Sequence, residues 1–191
     1  MVPPPTRILL ISGSLRAGST NTALLRTAQT LTPDGTIAPV YEALGDLPLF
    51  NPDDDTVPLH PAVADLRKRI SQADALLFST PEYAGALPGP FKNLLDWTVG
   101  GGETYGKPVA WVNASGSPTG AADAHRSLRT VLGYTGSDIV EEACTHIPVA
   151  RSAIGSDGLI ADAVVRQQIA DVMSTLASEL QGRLEPPSPR R

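Results

Sequence analysis

Residues Ile8–Thr20, ILLISGSLRAGST, decide the fold. The opening run, Ile8 to Ile11, is apolar without polar alternation and β-branched at both ends, the pattern of a strand covered by helices on both faces. A polar, glycine-bearing loop follows, and Ser19-Thr20-Asn21 then opens a segment in which Leu24, Leu25, Ala28 and Leu31 share one helical face. Strand, loop and helix in that order form the first half of a crossover unit. Outward from this unit the same unbroken apolar character returns at Ala75–Phe78 and at Val109–Val112. Helical spacing returns at Val63, Leu66 and Ile70, behind a Pro61 suited to a first helical turn. A last long helix is marked by Val165, Ile169, Val172, Leu176 and Leu180.

Strands alternating with helices imply right-handed crossovers and a parallel sheet, a doubly wound α/β fold. The second strand, around Thr36–Tyr41, contains Pro39, which has no N–H for an interior ladder and therefore belongs at a sheet edge. The flavodoxin-like order 2-1-3-4-5 places strand two at an edge, whereas the six-stranded order 3-2-1-4-5-6 buries it. The fifth strand lies within Ile139–Val149. The reading is one domain over residues 7–182 with five parallel strands and helices on both faces. A flexible lead at 1–6, stiffened by Pro3 to Pro5, precedes it, and a flexible tail at 183–191, ending EPPSPRR, follows.

Composition excludes several classes. A chain of 191 residues buries roughly 70% of its unfolded surface without staples. Its single cysteine, Cys144, can form no internal disulfide and reads as a small buried hydrophobe in a reducing cytoplasm. The net charge of -5 argues against nucleic acid as the main partner. No apolar run reaches the ~20 residues that span a bilayer, and MVPPPTR lacks the regions of a secretory signal, so neither a membrane nor secretion is expected. Asp53-Asp54-Asp55 reads as solvated carboxylates, and His60 and His146 lack ligand spacing, so no metal site is predicted.

Ligands of such sheets gather at the carboxyl ends of the strands, where three loops of unusual composition leave them. In the first, GSLRAGST, Ser19 stands where a nucleotide triphosphatase has its lysine. That lysine neutralises a transferring phosphoryl group; a phosphate monoester used only as an anchor needs less. Ser14, Ser19, Thr20 and Asn21 offer hydroxyl and amide donors, Arg16 adds charge, and the helix N-terminus faces the anion. Ordinary N-capping explains Ser-Thr-Asn equally well.

The second loop is TPEYAGALPGPFKNLLDW, Thr80–Trp97. Pro81 stiffens the strand exit, Gly85 and Gly89 allow close backbone approach, and Tyr83 offers a flat face, which suits a planar heterocycle held by main-chain donors. Glu82 has no sequence neighbour to pair with for acid–base work and reads as a contributor of backbone contacts. Phe91, Leu94, Leu95 and Trp97 form an apolar stripe for core or subunit contact, and Gly100–Gly102 reads as a flexible connector. The third loop, NASGSPTG at Asn113–Gly120, does not fit a Gly-x-Ser-x-Gly nucleophile elbow. Asp123 and His125 read as surface or capping residues rather than parts of a triad.

At these loops the chain resembles the NADPH-dependent FMN reductases, a flavodoxin-like family that includes quinone, chromate and azo-dye reductases. The resemblance rests on GSLRAGSTN (Gly13–Asn21), PEYAGALPGPFKNLLDW (Pro81–Trp97) and GKPVAWVNASG (Gly106–Gly116). It implies that Ser14, Arg16, Ser19, Thr20 and Asn21 hold the FMN phosphate, that Pro81, Glu82, Tyr83, Ala84 and Gly85 line the flavin ring, and that Ser115 and Gly116 close the opposite side. It also implies hydride transfer from NADPH or NADH through FMN to a small acceptor with no catalytic side chain, and a homodimer or homotetramer joined near Phe91–Gly102. Family members often carry Asn and Ser where this chain has Ala84 and Ala86, a departure that removes two polar groups near the ring. A flavodoxin-type electron carrier without pyridine-nucleotide activity is the alternative; a binding module that kept only the phosphate cradle is a third.

Overall fold

The computed structural model describes residues 4–184; most of the expected proline-rich lead and tail therefore lies outside the described residues. The chain runs β1 (Thr6–Ser12), α1 (Thr20–Thr30), β2 (Thr36–Ile37), β3 (Val40–Tyr41), α2 (Pro61–Ser71), β4 (Ala75–Ser79), α3 (Gly89–Asp96), β5 (Pro108–Asn113), α4 (Ala122–Tyr134), β6 (Asp138–Ile139), β7 (Thr145–His146) and α5 (Ala163–Leu184). β1 takes in Thr6 and α5 continues through Leu184, each slightly past the limits read from the sequence.

The sheet order is β2-β1-β4-β5-β6 and every pairing is parallel. β3 carries on beside β1 where β2 leaves off, and β7 does the same beside β5. Five strand positions in the order 2-1-3-4-5 are thus filled, but both edge positions are split into two short pieces. At one edge Pro39 interrupts the ladder and uses its carbonyl instead, accepting from Leu10 N–H at 2.9 Å. At the other, a 3-10 turn at Glu141–Ala143 lifts the chain out between β6 and β7.

Two apolar layers sandwich the sheet. Ile8, Leu10 and Leu77 pack against Leu24, Leu25 and Ala28 of α1 and Ile169, Met173 and Leu176 of α5. Leu9, Ile11, Leu76 and Phe78 pack against α2, α3 and α4 on the other face. Each fully buried leucine or isoleucine contributes about 1.5–3 kcal/mol. Period-2 alternation in β1 and β4 sends successive side chains to opposite layers, which is why Ile8–Ile11 and Ala75–Phe78 carry no polar residue.

Of the two roles read for the stripe of Phe91, Leu94, Leu95 and Trp97, the structure shows the core, each residue being at most 1% exposed. Two other sequence readings are corrected here. Gly100–Gly102 is a packed corner rather than a loose connector: a Cβ on Gly100 would run into Asp55 and one on Gly101 into Glu103, while Gly102 adopts φ +69°. Asp55 is not solvated like Asp53 and Asp54; it pairs with the largely buried Arg67 at 2.8 Å, and Arg67 also donates to the Trp97 carbonyl at 2.9 Å. Helix α4 was not anticipated, although Ala124, Leu128 and Leu132, all fully buried, repeat at four-residue spacing. No helix among the described residues is long and apolar enough to cross a membrane.

Candidate functional site

Because β1, β4 and β5 are adjacent and parallel, the loops that follow them leave from one edge of the sheet. β1 and β4 are in register to their ends, Ser12 opposite Ser79. Here the first crossover returns on the opposite side from the next, the place where doubly wound sheets open a crevice. Gly13 N–H donates to the Ser79 carbonyl at 2.8 Å, and a Cβ on Gly13 would collide with Thr80 and the Phe91 ring. The glycine is the condition for the first two loops to meet this closely.

The first loop then rises over α1. Ser19 is the N-cap, its Oγ accepting from Thr22 N–H at 3.4 Å, and Ser12 and Thr22 hydroxyls meet at 2.8 Å beneath it. Capping therefore accounts for Ser19, but it leaves the N–H groups of Leu15 and of residues 17–21 without an acceptor among the described residues. These donors sit at the positive end of the α1 dipole. Gly18, at φ +68°, gives the chain the turn that gathers them. Ser14 is half-buried with its Oγ 3.3 Å from Arg16 N, Arg16 is exposed, and Thr20 is half-buried. The Asn21 side chain points elsewhere: it is buried, and its Oδ1 accepts from Ser79 Oγ at 2.9 Å. Ser79 Oγ is equally 2.9 Å from the Val112 carbonyl, so one hydroxyl ties α1, β4 and β5 together. Nothing in the sequence pattern marked Ser79, since a serine at the end of an apolar run looks like the start of a loop.

The second loop turns back on itself. Tyr83 and Ala86 exchange two backbone hydrogen bonds at 3.1 Å, with Ala84 at φ +51° and Gly85 at φ +73° between them, a type I′ turn. The turn lifts Tyr83, 56% exposed, away from the body. Pro81 and Glu82 are half-buried at its base. The Glu82 side chain has a task that sequence alone did not suggest: its carboxylate accepts from Asp123 N–H at 3.0 Å and Ala124 N–H at 3.2 Å. Ala121, at φ +60°, provides α4 with no side-chain cap, and Glu82 supplies one from another loop.

The third loop is held by two imidazoles. His146 Nε2 donates to the Ser115 carbonyl at 2.7 Å, and His125 Nδ1 donates to the Ala121 carbonyl at 2.6 Å. An Asx turn, Ser115 N–H to Asn113 Oδ1 at 2.9 Å, shapes the exit from β5 and leaves Gly116 exposed. His125 is 7% exposed, not a surface residue, because α4 turns it inward beside Trp111. With Nδ1 protonated, its Nε2 is a buried acceptor with no partner among the described residues. Burial lowers its pKa from the ordinary 6.5, offset in part by the hydrogen bond to the Ala121 carbonyl, with a smaller lowering from His146 and a raising from Glu82. Cys144 is half-buried, and burial pushes its thiol up to about 11, away from thiolate character.

Ten of the twelve residues singled out in the sequence lie on three loops at one sheet edge and Thr20 and Asn21 open α1 there, and the structure joins these segments through Gly13–Ser79, Ser79–Asn21 and Glu82–Asp123. This edge brings together a row of uncommitted N–H groups, a type I′ turn and a small-residue loop, with no nucleophile–base pair among those twelve residues.

The chain is 36% identical over 172 residues to an NAD(P)H-dependent FMN reductase of Pseudomonas aeruginosa, covering 89% of this chain and 92% of that one. It is 32% identical over 181 residues to a Burkholderia 2-hydroxy-1,4-benzoquinone reductase, covering 93% and 97%. Among solved structures, the flavoenzyme NAD(P)H:(acceptor) oxidoreductase FerB of Paracoccus denitrificans superposes with a TM-score of 0.81 at 28% identity, covering 93% of this chain and 98% of that one. Residues 6–150 match the family model described as NADPH-dependent FMN reductase, and the chain belongs to that family.

Proposed function

We propose that Ser14, Arg16, Ser19, Thr20 and Asn21 hold the phosphate of FMN on the first loop, that Pro81–Gly85 and Ser115–Gly116 flank its ring, and that a quinone is the acceptor. Family membership makes the protein an FMN-dependent NAD(P)H oxidoreductase; the placement and the acceptor are what is proposed. One observation carries the placement: the uncommitted N–H groups of residues 17–21 at the start of α1. They fit a monoester that needs an anchor and no transfer chemistry, which is why a loop without the triphosphatase lysine suffices. For Asn21 the contribution is its N–H, since its side chain is engaged with Ser79. The benzoquinone reductase among the relatives supports the acceptor class.

When bound, FMN would supply the redox chemistry between NADPH or NADH and the acceptor. The chain's residues bind and orient. The N–H groups of the first loop fix one end of the cofactor, the type I′ turn sets the height of Tyr83 and its neighbours, and the Glu82 cap on α4 fixes the spacing between second and third loops. The protein works as a homodimer or homotetramer in this reading, which light scattering tests.

Mixing the purified protein with FMN and then NADPH without oxygen tests the function. Bleaching of the yellow absorbance, reversed by a quinone, is expected; yellow colour that persists identifies an electron carrier instead. Two variants test the placement. Ser19→Asp keeps an N-cap, because aspartate caps as well as serine, but sets a negative charge against the phosphate. Arg16→Ala removes an exposed cation. Both are expected to weaken FMN binding at least about tenfold, roughly 1.4 kcal/mol, with unfolding midpoints close to the parent's. Unchanged FMN affinity in both moves the anion elsewhere.

A further inference from the structure

A cavity of about 580 Å³ lies between Leu15 of the first loop, the segment Leu44–Phe50 and the start of α3, and has no part in holding FMN as proposed above. Its walls are Leu15, Leu44, Leu47, Leu49 and Phe50, and the first turn of α3 at Gly89 and Pro90 forms its floor. The charges at its mouth, Lys92 and Asp96, neutralise each other in an ion pair at 2.6 Å. A ligand here meets hydrocarbon and no net charge.

The wall is built in advance. Asn93 accepts from Phe50 N–H at 2.7 Å and donates to the Pro48 carbonyl at 2.9 Å, and Trp97 Nε1 donates to the same carbonyl at 2.8 Å. The Phe50 and Trp97 rings meet edge-on at 5.0 Å. Three hydrogen bonds and an aromatic contact thus pin the segment LPLF against α3, yet Leu49 projects 86% exposed and Leu15 57% exposed. Two leucines standing in water beside a rigid hollow represent apolar surface held available at a cost, which is the usual form of a small-molecule site of this size. The hollow borders the first loop, since Leu15 and Leu44 line both it and the neighbouring depression that Ser14 and Arg16 line. Leu15 lies between Ser14 and Arg16, and Gly89 is four residues beyond Gly85.

We propose that this cavity is the subsite for the hydrocarbon chain of a ring-substituted quinone, so that the enzyme prefers alkyl- or prenyl-bearing quinones to bare ones. This rests on the reading of the acceptor as a quinone. The chain lies along Leu15, Leu47 and Leu49 while its ring faces the crevice. Neutral walls exclude anionic substituents, and a volume of about 580 Å³ admits a flexible chain of several carbons.

The test uses the FMN-loaded protein and two acceptors, 2,3-dimethoxy-5-methyl-1,4-benzoquinone and its 6-decyl derivative. The decyl form is expected to have a KM about tenfold lower or better, and to bind the oxidised protein correspondingly more tightly by calorimetry without reductant, because each buried methylene adds to affinity. Leu49→Asp sets a charge in the hollow at an exposed position and is expected to abolish this preference, raising the decyl KM about tenfold. It leaves the KM of the bare quinone and the FMN affinity unchanged; Leu49→Met retains the preference. Equal KM and equal binding for the two quinones in the parent overturn the subsite while leaving the acceptor class intact. Reduction of neither quinone overturns the acceptor class and the subsite with it. If Leu49→Asp instead shifts the oligomeric state by light scattering with the KM ratio unchanged, a second copy of the chain covers the hollow and the proposal fails.

Discussion

Glu82 holds the backbone of Asp123: the carboxylate of one loop closes the open end of the helix that begins after another, accepting at 3.0 Å from Asp123 N–H and at 3.2 Å from Ala124 N–H. Removing it exposes two donors and lets the second and third loops separate. Glu82→Ala is expected to cost about 0.5–2 kcal/mol in urea unfolding, the range for loss of an N-cap, and to weaken FMN binding. Glu82→Gln retains an acceptor oxygen and is expected to recover most of both. If Gln falls as far as Ala, the negative charge rather than the hydrogen bond is what matters at this position.

That contact shows what the sequence could and could not disclose. Continuous apolar runs at Ile8–Ile11, Ala75–Phe78 and Val109–Val112 announced the central strands, and one proline at 39 placed the edge, because each signal is local and follows from backbone chemistry. The loops were legible by composition for the same reason. Their connections were not. Glu82 and Asp123 are separated by 41 positions, Ser79 and Asn21 by 58, and no period or spacing rule relates such pairs. The inward placement of His125 depends on the phase of α4, which a lone histidine after a glycine- and proline-bearing loop does not disclose.

Gly13 is expected to tolerate no side chain. Its backbone N–H is bonded to Ser79, so it cannot move away from Thr80, and a methyl group would overlap Thr80 Oγ1 and the Phe91 ring. Gly13→Ala should destabilise by about 1–3 kcal/mol, the range for overpacking, and reduce FMN binding by parting the loops. Adding Thr80→Ala removes one of the two obstacles. The double variant is then expected to recover part of the loss in a chemical-denaturation cycle, and strict additivity would contradict the contact.

The turn at Ala84-Gly85 carries a correctable strain. Both positions have positive φ, which glycine adopts freely and asparagine tolerates, whereas alanine pays for its Cβ. Ala84→Asn and Ala84→Gly should each keep the two 3.1 Å bonds between Tyr83 and Ala86. Ala84→Asn is expected to raise stability by about 0.5–1 kcal/mol in thermal or urea unfolding. Asparagine also restores a polar group beside the proposed ring, so a change in the flavin midpoint potential with Asn but not with Gly would separate the electronic effect from the conformational one.

His125 makes stability depend on pH. It is buried and neutral in the native state, with a pKa lowered from 6.5 chiefly by desolvation, while in the unfolded chain it titrates normally. The unfolded state therefore binds the proton first. The contribution is fully present above about pH 6.5 and is lost as pH falls from there toward the lowered native value. Protonation also adds an N–H at the unpartnered Nε2 and a positive charge in the first turns of α4, where the helix dipole opposes it; the Glu82 carboxylate offsets part of this. Urea unfolding at pH 5 and pH 8 should show the parent losing more stability at pH 5 than His125→Gln, whose amide keeps a donor for the Ala121 carbonyl but does not titrate. Parallel losses in the two proteins would place the acid sensitivity on other groups.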